Sequence, residues 1–164
     1  MSIKLAPGET KQIDVALTPI SPWMLPTGHI SPDPNWYYPQ DAYDGNLDTQ
    51  AYYIYATAPG DYTPFIEFLC GEAKNITGFK VYLGRQPLRA DLQNIPQGVD
   101  IDITSDGNTW IDAVDLTITG GQWVELYLPS PVLAVKARLR ILNVLATSCH
   151  MTIKEFMLGV APLP

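Results

Sequence analysis

The chain has 164 residues, which suits a single domain, and 46 % of them are hydrophobic, which is enough for one buried core. Only 16 % are charged, so the composition excludes a coiled coil and a charge-driven disordered segment. The formal net charge of −7 disfavours partners that are themselves negative, namely nucleic acid and anionic membrane surfaces.

Short apolar alternations separated by Gly, Pro, Asn and Asp recur along the chain, at residues 11–17, 65–69, 77–83, 99–104, 123–128, 135–142 and 152–158. The 15 prolines and 12 glycines leave little room for long helices. The pattern predicts an all-β sandwich or barrel. We interpret residues 1–20 as an extra N-terminal strand or the end of a preceding module, and residues 21–164 as the domain itself.

Residues 18–63 differ from the rest because they are rich in proline and large aromatic side chains. A long irregular stretch in a compact domain is functional or disordered. The density of aromatic side chains argues against disorder. We therefore expect ordered loops with few short strands.

Oxygen-bearing side chains are densest at residues 41–49, where Asp44, Asn46, Asp48 and Thr49 surround Gly45. Glycine permits a tight turn, and Ca²⁺ takes about six to eight oxygen ligands. The same residues also suit an Asx-rich turn whose side chains cap their own backbone. The spacing alone leaves both interpretations open.

Two further segments have structural explanations. Asp100 and Asp102 share one face of a predicted strand, and the alternation predicts that this face is solvated. Residues 105–110 contain Asp106-Gly107, which is typical of a tight hairpin, and we expect Trp110 to fold back on the sheet.

The loop at residues 84–97 carries Arg85 and Arg89 on either side of Pro87, with Asn94 further along. Two guanidinium groups in one exposed loop could fork onto the hydroxyls or carboxylates of a ligand. The alternative is a solvated loop with a local ion pair to Asp91.

Nucleophilic side chains are few. Cys70 and Cys149 could form one disulfide, but we favour free thiols because a core of this size needs no cross-link. His29 and His150 lie far apart, and neither stands in a catalytic arrangement. The sequence contains no phosphate-binding loop, dinucleotide fingerprint or metalloprotease motif. We therefore expect that the protein is not an enzyme.

The first eight residues lack the apolar stretch of a signal peptide, and no apolar run approaches the about 18 residues of a membrane span. We expect no signal peptide in this chain and no membrane insertion.

Four blocks together carry a family resemblance: residues 42–49, residues 65–69 with 76–82, residues 98–110, and residues 137–141 with 153–156. In this order they resemble discoidin, or coagulation-factor type C, domains within the galactose-binding-like group, to which family-32 carbohydrate-binding modules also belong. The resemblance covers about residues 20–160. It implies an eight-stranded antiparallel jelly-roll β-sandwich, with residues 21–164 as a discoidin-like domain.

The resemblance also implies a structural Ca²⁺ site that ties the long loop to the last strand. Two ligands would be the backbone carbonyls of Asp41 and Lys154. The other four would be side-chain oxygens, from Asp44, Asn46, Thr49 and Glu155.

Sugar-binding relatives use an aromatic platform and planar polar donors at one rim. Carried onto this chain, the resemblance implies a ligand site that includes His29, Trp36, Tyr37, Arg85, Arg89 and Asn94. The family's His-and-Trp sugar pattern is not matched around Arg85, and its terminal disulfide is absent. The aromatic residues could instead pack over the edge of the sandwich.

We therefore predict a non-catalytic, lectin-like carbohydrate-binding module with calcium as scaffold. Its partner would be a glycan or glycoprotein, and its location extracellular, on a cell surface or on a virion surface. The alternative is a protein–protein assembly module of a larger surface protein, adhesin, phage or viral structure, bound to other domains or copies. Binding of lipid head groups is disfavoured by the acidic balance.

Overall fold

The structure is a computed structural model that describes residues 22–55, 64–84, 97–118, 120–141 and 149–161. These ranges contain one short 3₁₀ helix, Pro39–Ala42, and no helix long and apolar enough to cross a membrane. Their strands are β1 Trp23–Met24, β2 Gly28–Ile30, β3 Trp36–Tyr37, β4 Ala51–Tyr55, β5 Phe65–Leu83, β6 Gln97–Thr104, β7 Ile111–Ile118, β8 Trp123–Ile141 and β9 Cys149–Val160. The strand predicted at residues 11–17 lies outside the described ranges.

All strand pairs are antiparallel, and they build two layers. The first layer contains β2, the start of β5, the end of β8, β6 and β7. The second contains β3, β4, β9, the end of β5 and the start of β8, with β1 on the far end of β9. The rings of Phe68 in the first layer and Phe156 in the second stack with centroids 4.2 Å apart. The predicted antiparallel β-sandwich is therefore confirmed, with nine strands in the described ranges where eight were expected.

The strands β5 and β8 belong to both layers because each bends partway along its 19 residues. The sequence predicted two separate strands in each case, 65–69 and 77–83 before and after Gly71, and 123–128 and 135–142 before and after Pro129, and this was wrong. The register of β5 shifts between Leu69 and Lys74, where Gly71 adopts φ 80°, and again between Ile76 and Gly78. Pro129 lies where β8 makes no ladder pair with β5, so its missing N–H costs no sheet hydrogen bond.

The core lies between the layers and is built from alternate residues of the long strands. Its largest fully buried side chains include Phe68, Phe79, Phe156, Tyr53 and Ile101. Cys70 is a buried free thiol, as predicted, and burial raises the pKa of its thiol to about 11. The side chain of Cys149 is not described.

Candidate functional site

The 3₁₀ helix Pro39–Ala42 leads into a closed polar turn, which we call the acidic loop, residues 43–49. Asp44 accepts two hydrogen bonds there: its Oδ1 from the N–H of Asn46 at 2.8 Å, and its Oδ2 from the hydroxyl of Thr49 at 2.7 Å. The Oδ1 of Asn46 accepts from the N–H of Asp48 at 3.0 Å. The side chains therefore cap their own backbone, as an Asx-rich turn does.

Strand β9 brings Glu155 against this loop. Glu155 is only 2 % exposed, and neither carboxylate oxygen has a hydrogen-bond partner of ordinary geometry among the described residues. Burial, and then the negative charge of Asp44, raise the pKa of Glu155 to about 7. The N–H groups of Gly45 and Phe156 face the carboxylate and offset part of this rise. A buried carboxylate without a strong donor is unstable unless a cation or a proton joins it.

The other predicted metal ligands lie beside these groups. The ammonium group of Lys154 donates to the carbonyl oxygen of Leu47, which ties β9 to the acidic loop. The N–H of Asp41 donates to the carbonyl oxygen of Tyr38 at 3.0 Å. Burial and the charge of Asp44 raise the pKa of the Asp41 carboxyl. The structure therefore places Asp41 and Glu155 near Asp44, which is hydrogen-bonded to Asn46 and Thr49. It also brings the side chain of Lys154 to the same loop from more than a hundred residues away in sequence.

This group of donors fits a hard cation. Carboxylate, amide, hydroxyl and carbonyl oxygens are the ligands that Ca²⁺ takes in proteins. The observation that supports the fit is the pair of buried, unpartnered oxygens of Glu155 next to the carboxylate of Asp44. A divalent cation would offset the repulsion between these two carboxylates.

An exposed group of aromatic rings, which we call the tyrosine cluster, lies at the β3–β4 edge of the second layer and contains Tyr37, Tyr38 and Tyr52. The rings of Tyr37 and Tyr52 stack with centroids 5.1 Å apart, and the ring of Tyr38 lies 5.9 Å from that of Tyr52 at a tilt of 60°. Tyr37 is 47 % exposed and Tyr38 is 58 % exposed. Tyr38 has a left-handed backbone, with φ 50° and ψ 49°, which costs a non-glycine residue about 1 kcal/mol or more.

Trp36 does not belong to this exposed surface, although the sequence placed it in the ligand site. Its side chain is buried in the core, its ring lies 5.4 Å from that of Tyr53, and its indole N–H donates to the carbonyl oxygen of Phe65 at 2.9 Å. Successive residues of a strand face opposite sides, so Trp36 points inward where Tyr37 points outward. Trp36 therefore offers no ring face to a sugar.

His29, the other described ligand candidate, lies on β2 in the first layer. Its Nδ1 is 2.8 Å from the hydroxyl oxygen of Tyr43, and burial lowers the pKa of its imidazole. His29 therefore contacts the start of the acidic loop, and no contact in the described ranges joins it to the tyrosine cluster.

Arg85, Arg89 and Asn94 lie outside the described residues. The residue before them, Gly84, is fixed at the sheet: its N–H donates to the carbonyl oxygen of Thr152 at 2.7 Å. Thr152 is also the partner of Tyr52 in the β4–β9 pairing. Strand β5 therefore ends with β9 between it and β4, the strand that carries Tyr52 of the tyrosine cluster.

Sequence reasoning omitted Tyr38 and Tyr52 from the ligand site. The alternation of Tyr52 with Tyr53 in one strand could have indicated one outward and one inward ring. The left-handed backbone at Tyr38 has no signal in the sequence, because non-glycine residues rarely adopt it.

The prediction that Asp100 and Asp102 face solvent was wrong. Both lie on the outer face of β6, but they are only 2 % and 3 % exposed. Arg138 and Arg140 of the neighbouring strand β8 cover them and form ion pairs with their carboxylates. Alternation gives the face that a side chain occupies, whereas the strand beside it decides what covers that face.

The hairpin at residues 105–110 has the predicted structural role. The Oδ1 of Asp106 accepts from the N–H groups of Asn108 at 2.8 Å and Thr109 at 2.7 Å. These hydrogen bonds hold the pKa of Asp106 far below its usual value. Trp110 folds back on the sheet, where its ring lies 4.3 Å from the guanidinium carbon of Arg138.

No protein-family model matches the chain, and a search of curated proteins finds no match. Solved structures do match, and they include three family-32 carbohydrate-binding modules in complex with sugars. The module of AlyQ, in complex with 4,5-unsaturated mannuronic acid, is 18 % identical with a TM-score of 0.62, over 85 % of this chain and 98 % of that one. The module of Clostridium perfringens NanJ, in complex with galactose, is 13 % identical with a TM-score of 0.60, over 80 % and 90 %.

A third module, from Clostridium perfringens, is in complex with GalNAc-β-1,3-galactose. It is 18 % identical with a TM-score of 0.61, over 81 % of this chain and 93 % of that one. At such identities the likeness is one of fold. The chain therefore has the galactose-binding-like β-sandwich fold that these modules share, as the resemblance implied.

Proposed function

We propose that this protein is a non-catalytic carbohydrate-binding module that holds a glycan or glycoprotein at the tyrosine cluster. The observation that carries the proposal is the exposed pair of rings on Tyr37 and Tyr38, presented by a strained backbone at a sheet edge. Strained residues concentrate at binding sites, where the surrounding structure holds them. The fold is also one whose solved examples include sugar complexes.

Aromatic rings suit sugars because their faces pack on the apolar C–H face of a pyranose. Tyr52 stacks on Tyr37 and contacts Tyr38, so it holds both exposed rings in place. Little side-chain freedom is then lost when a ligand binds, which favours affinity.

The polar half of the site would come from the chain after Gly84. Arg85, Arg89 and Asn94 remain proposed ligand donors, because the segment that carries them starts beside Thr152, the β9 partner of Tyr52. Planar guanidinium and amide groups can donate to two neighbouring hydroxyls of one sugar. We keep His29 as a proposed donor only if the ligand extends towards Tyr43.

Calcium is the cofactor proposed for the acidic loop. The side chains of Asp44, Asn46, Thr49 and Glu155 and the carbonyls of Asp41 and Lys154 would hold it. When bound, the ion supplies positive charge between Asp44 and Glu155. The protein residues fix the loop to β9, which offsets the entropy of ordering an irregular segment.

Binding to a glycan array by the multimerised domain is the direct test of the function. We expect binding to at least one glycan class. Tyr37→Ala and Tyr38→Ala should each weaken it about tenfold, which corresponds to about 1.4 kcal/mol. Tyr127→Ala is the matched control, since Tyr127 is 65 % exposed but lies on β8, away from the cluster. An array with no signal above background contradicts the proposal.

The alternative function is protein–protein assembly within a larger surface structure. The exposed ring of Tyr127, which lies 5.9 Å from that of Trp23, favours it, since exposed Tyr and Trp are typical of interfaces. Light scattering after size-exclusion chromatography separates the two functions. Assembly predicts an oligomer that Tyr127→Ala dissociates, whereas glycan binding leaves the mass unchanged by this substitution. Either function places the protein outside cells or on a surface.

A further inference from the structure

A second group of carboxylates lies on the outer face of the first layer, between β6 and β7. One oxygen from each of Asp100, Asp102 and Asp112 lies within 4.8 Å of the other two. The β6–β7 register sets Asp102 opposite Asp112 and Asp100 opposite Asp115. Asp100 and Asp102 are buried, and Asp112 is exposed, so the group is open to solvent on its β7 side.

The arginines of β8 neutralise only part of this charge. The Oδ2 of Asp102 accepts from the Nε and Nη2 of Arg138 at 2.9 and 2.8 Å. Arg140 donates to the Oδ1 of Asp102 at 3.3 Å and also pairs with the Oδ2 of Asp100. The next cationic side chain along β8, Lys136, forms an ion pair with Glu67, with its Nζ 3.0 Å from the Oε2. It is therefore already paired elsewhere. Four carboxylates, including Asp115, therefore face two guanidinium groups.

A separate observation points to a missing partner. The Oδ1 of Asp100 is fully buried and has no hydrogen-bond partner in the described part of the chain. Both oxygens of Asp102 are engaged by arginine, whereas only the Oδ2 of Asp100 is paired with one. A buried charged oxygen without a partner is costly, and native structures seldom leave one unsatisfied.

We propose that Asp100 and Asp112 bind a hard divalent cation at the β6–β7 edge, and that the negative charge of Asp102 adds to the attraction for this cation. The donors are carboxylate oxygens, which select Ca²⁺ or Mg²⁺ rather than the metals that prefer nitrogen or sulfur. The carboxylates on this face outnumber the guanidinium groups, which favours a cation there. The exposed side leaves room for the waters that Mg²⁺ and Ca²⁺ keep when few protein ligands are present. The ion would fasten β7, which among the described strands pairs only with β6.

The test is calorimetric titration with CaCl₂ and with MgCl₂, supported by terbium luminescence with TbCl₃. Trp110 packs on Arg138, which itself holds Asp102, so its indole is placed to sensitise a bound terbium ion. The titration is done on the Asp44→Asn variant, in which the acidic loop has lost one carboxylate. We expect one remaining ion per chain.

Asp112→Asn in the same background should weaken this binding at least tenfold, because it removes the exposed ligand and leaves the arginine pairs intact. Asp115→Asn is the matched control, on the same strand but outside the group of three, and should change the affinity less than threefold. Circular dichroism checks that each variant is folded.

The outcomes are distinct. If the Asp44→Asn protein binds no ion, or if Asp112→Asn binds as well as its parent, the proposed site is wrong. If wild type and Asp44→Asn both bind a single ion that Asp112→Asn removes, this site stands and the proposed calcium in the acidic loop fails. The inference does not depend on the proposed glycan function.

Discussion

At the scale of single residues, the buried carboxylate of Glu155 has the clearest energetic consequence. It lies next to Asp44, and neither oxygen has a hydrogen-bond partner of ordinary geometry among the described residues. The calcium-free protein must either leave two carboxylates in repulsion or keep a proton on one of them. This choice makes stability depend on pH.

In calcium-free protein, the melting temperature should fall as the pH rises from about 4.5 to about 7. The pKa of Glu155 is raised from 4.5 to about 7 in the folded state. Between these values the folded protein binds more protons than the unfolded chain, so stability falls with rising pH. Glu155→Gln should remove this fall of the melting temperature with pH. At pH 8 in EDTA the variant should therefore melt at a higher temperature than wild type. Calorimetric melts measure both effects, with Asp48→Asn as a control that keeps the slope.

The left-handed backbone of Tyr38 predicts a separation of stability from binding. Tyr38→Gly should be more stable than Tyr38→Ala by about 1 kcal/mol, because only alanine keeps a Cβ in the strained conformation. Both variants lack the ring and should lose the same factor in glycan affinity. Urea unfolding and calorimetric titration measure the two quantities. A glycan affinity equal to that of wild type in either variant would exclude Tyr38 from the site.

The residues of the tyrosine cluster and the acidic loop were only partly predictable from the sequence. The pattern indicated ordered aromatic loops, and the acidic loop with Glu155 was found from the resemblance. The opposite orientations of Trp36 and Tyr37 were not, because a strand of two residues is too short to show its alternation.

At the scale of elements, the two long strands decide the architecture. Bends in β5 and β8 let one pair of strands serve both layers. Sequence patterns gave the apolar stretches on each side of the bends but read Gly71 and Pro129 as ends. Turn-forming residues end a strand or only bend it, and the partner strand across the sheet decides which.

Gly78, at the second register shift of β5, should tolerate no side chain. A Cβ at this position would lie 2.1 Å from the carbonyl oxygen of Leu126, which is backbone and is held in the sheet. We expect Gly78→Ala to cost about 3 kcal/mol or more in the free energy of unfolding. Gly28→Ala is the control, since its Cβ would meet only the side chain of Leu69, with the Cδ1 at 3.2 Å, and should cost about 1 kcal/mol or less. Urea titration gives both values, and equal costs would contradict this account.

At the scale of the whole molecule, the acidic loop and the tyrosine cluster are joined by the 3₁₀ helix Pro39–Ala42. Tyr38 caps the helix, and its carbonyl oxygen accepts from the N–H of Asp41, a proposed calcium ligand. The family resemblance implied a metal site and, separately, a ligand site that included Tyr37. It did not indicate this link, which depends on the backbone conformation between them.

Calcium and glycan should therefore bind with positive coupling. An ion that fixes the acidic loop also fixes Tyr38, so less ordering remains to be done when the glycan binds. We expect EDTA to weaken glycan affinity about fivefold or more, at the lower end of typical couplings of about 1–3 kcal/mol. Linkage requires the glycan to tighten calcium binding by the same factor, which titrations in both orders measure. In Asp44→Ala the glycan affinity should already be low and EDTA should change it no further, whereas Tyr127→Ala should keep the full coupling. Glycan affinity that is the same with and without calcium in wild type would show that the helix does not transmit the ion's effect.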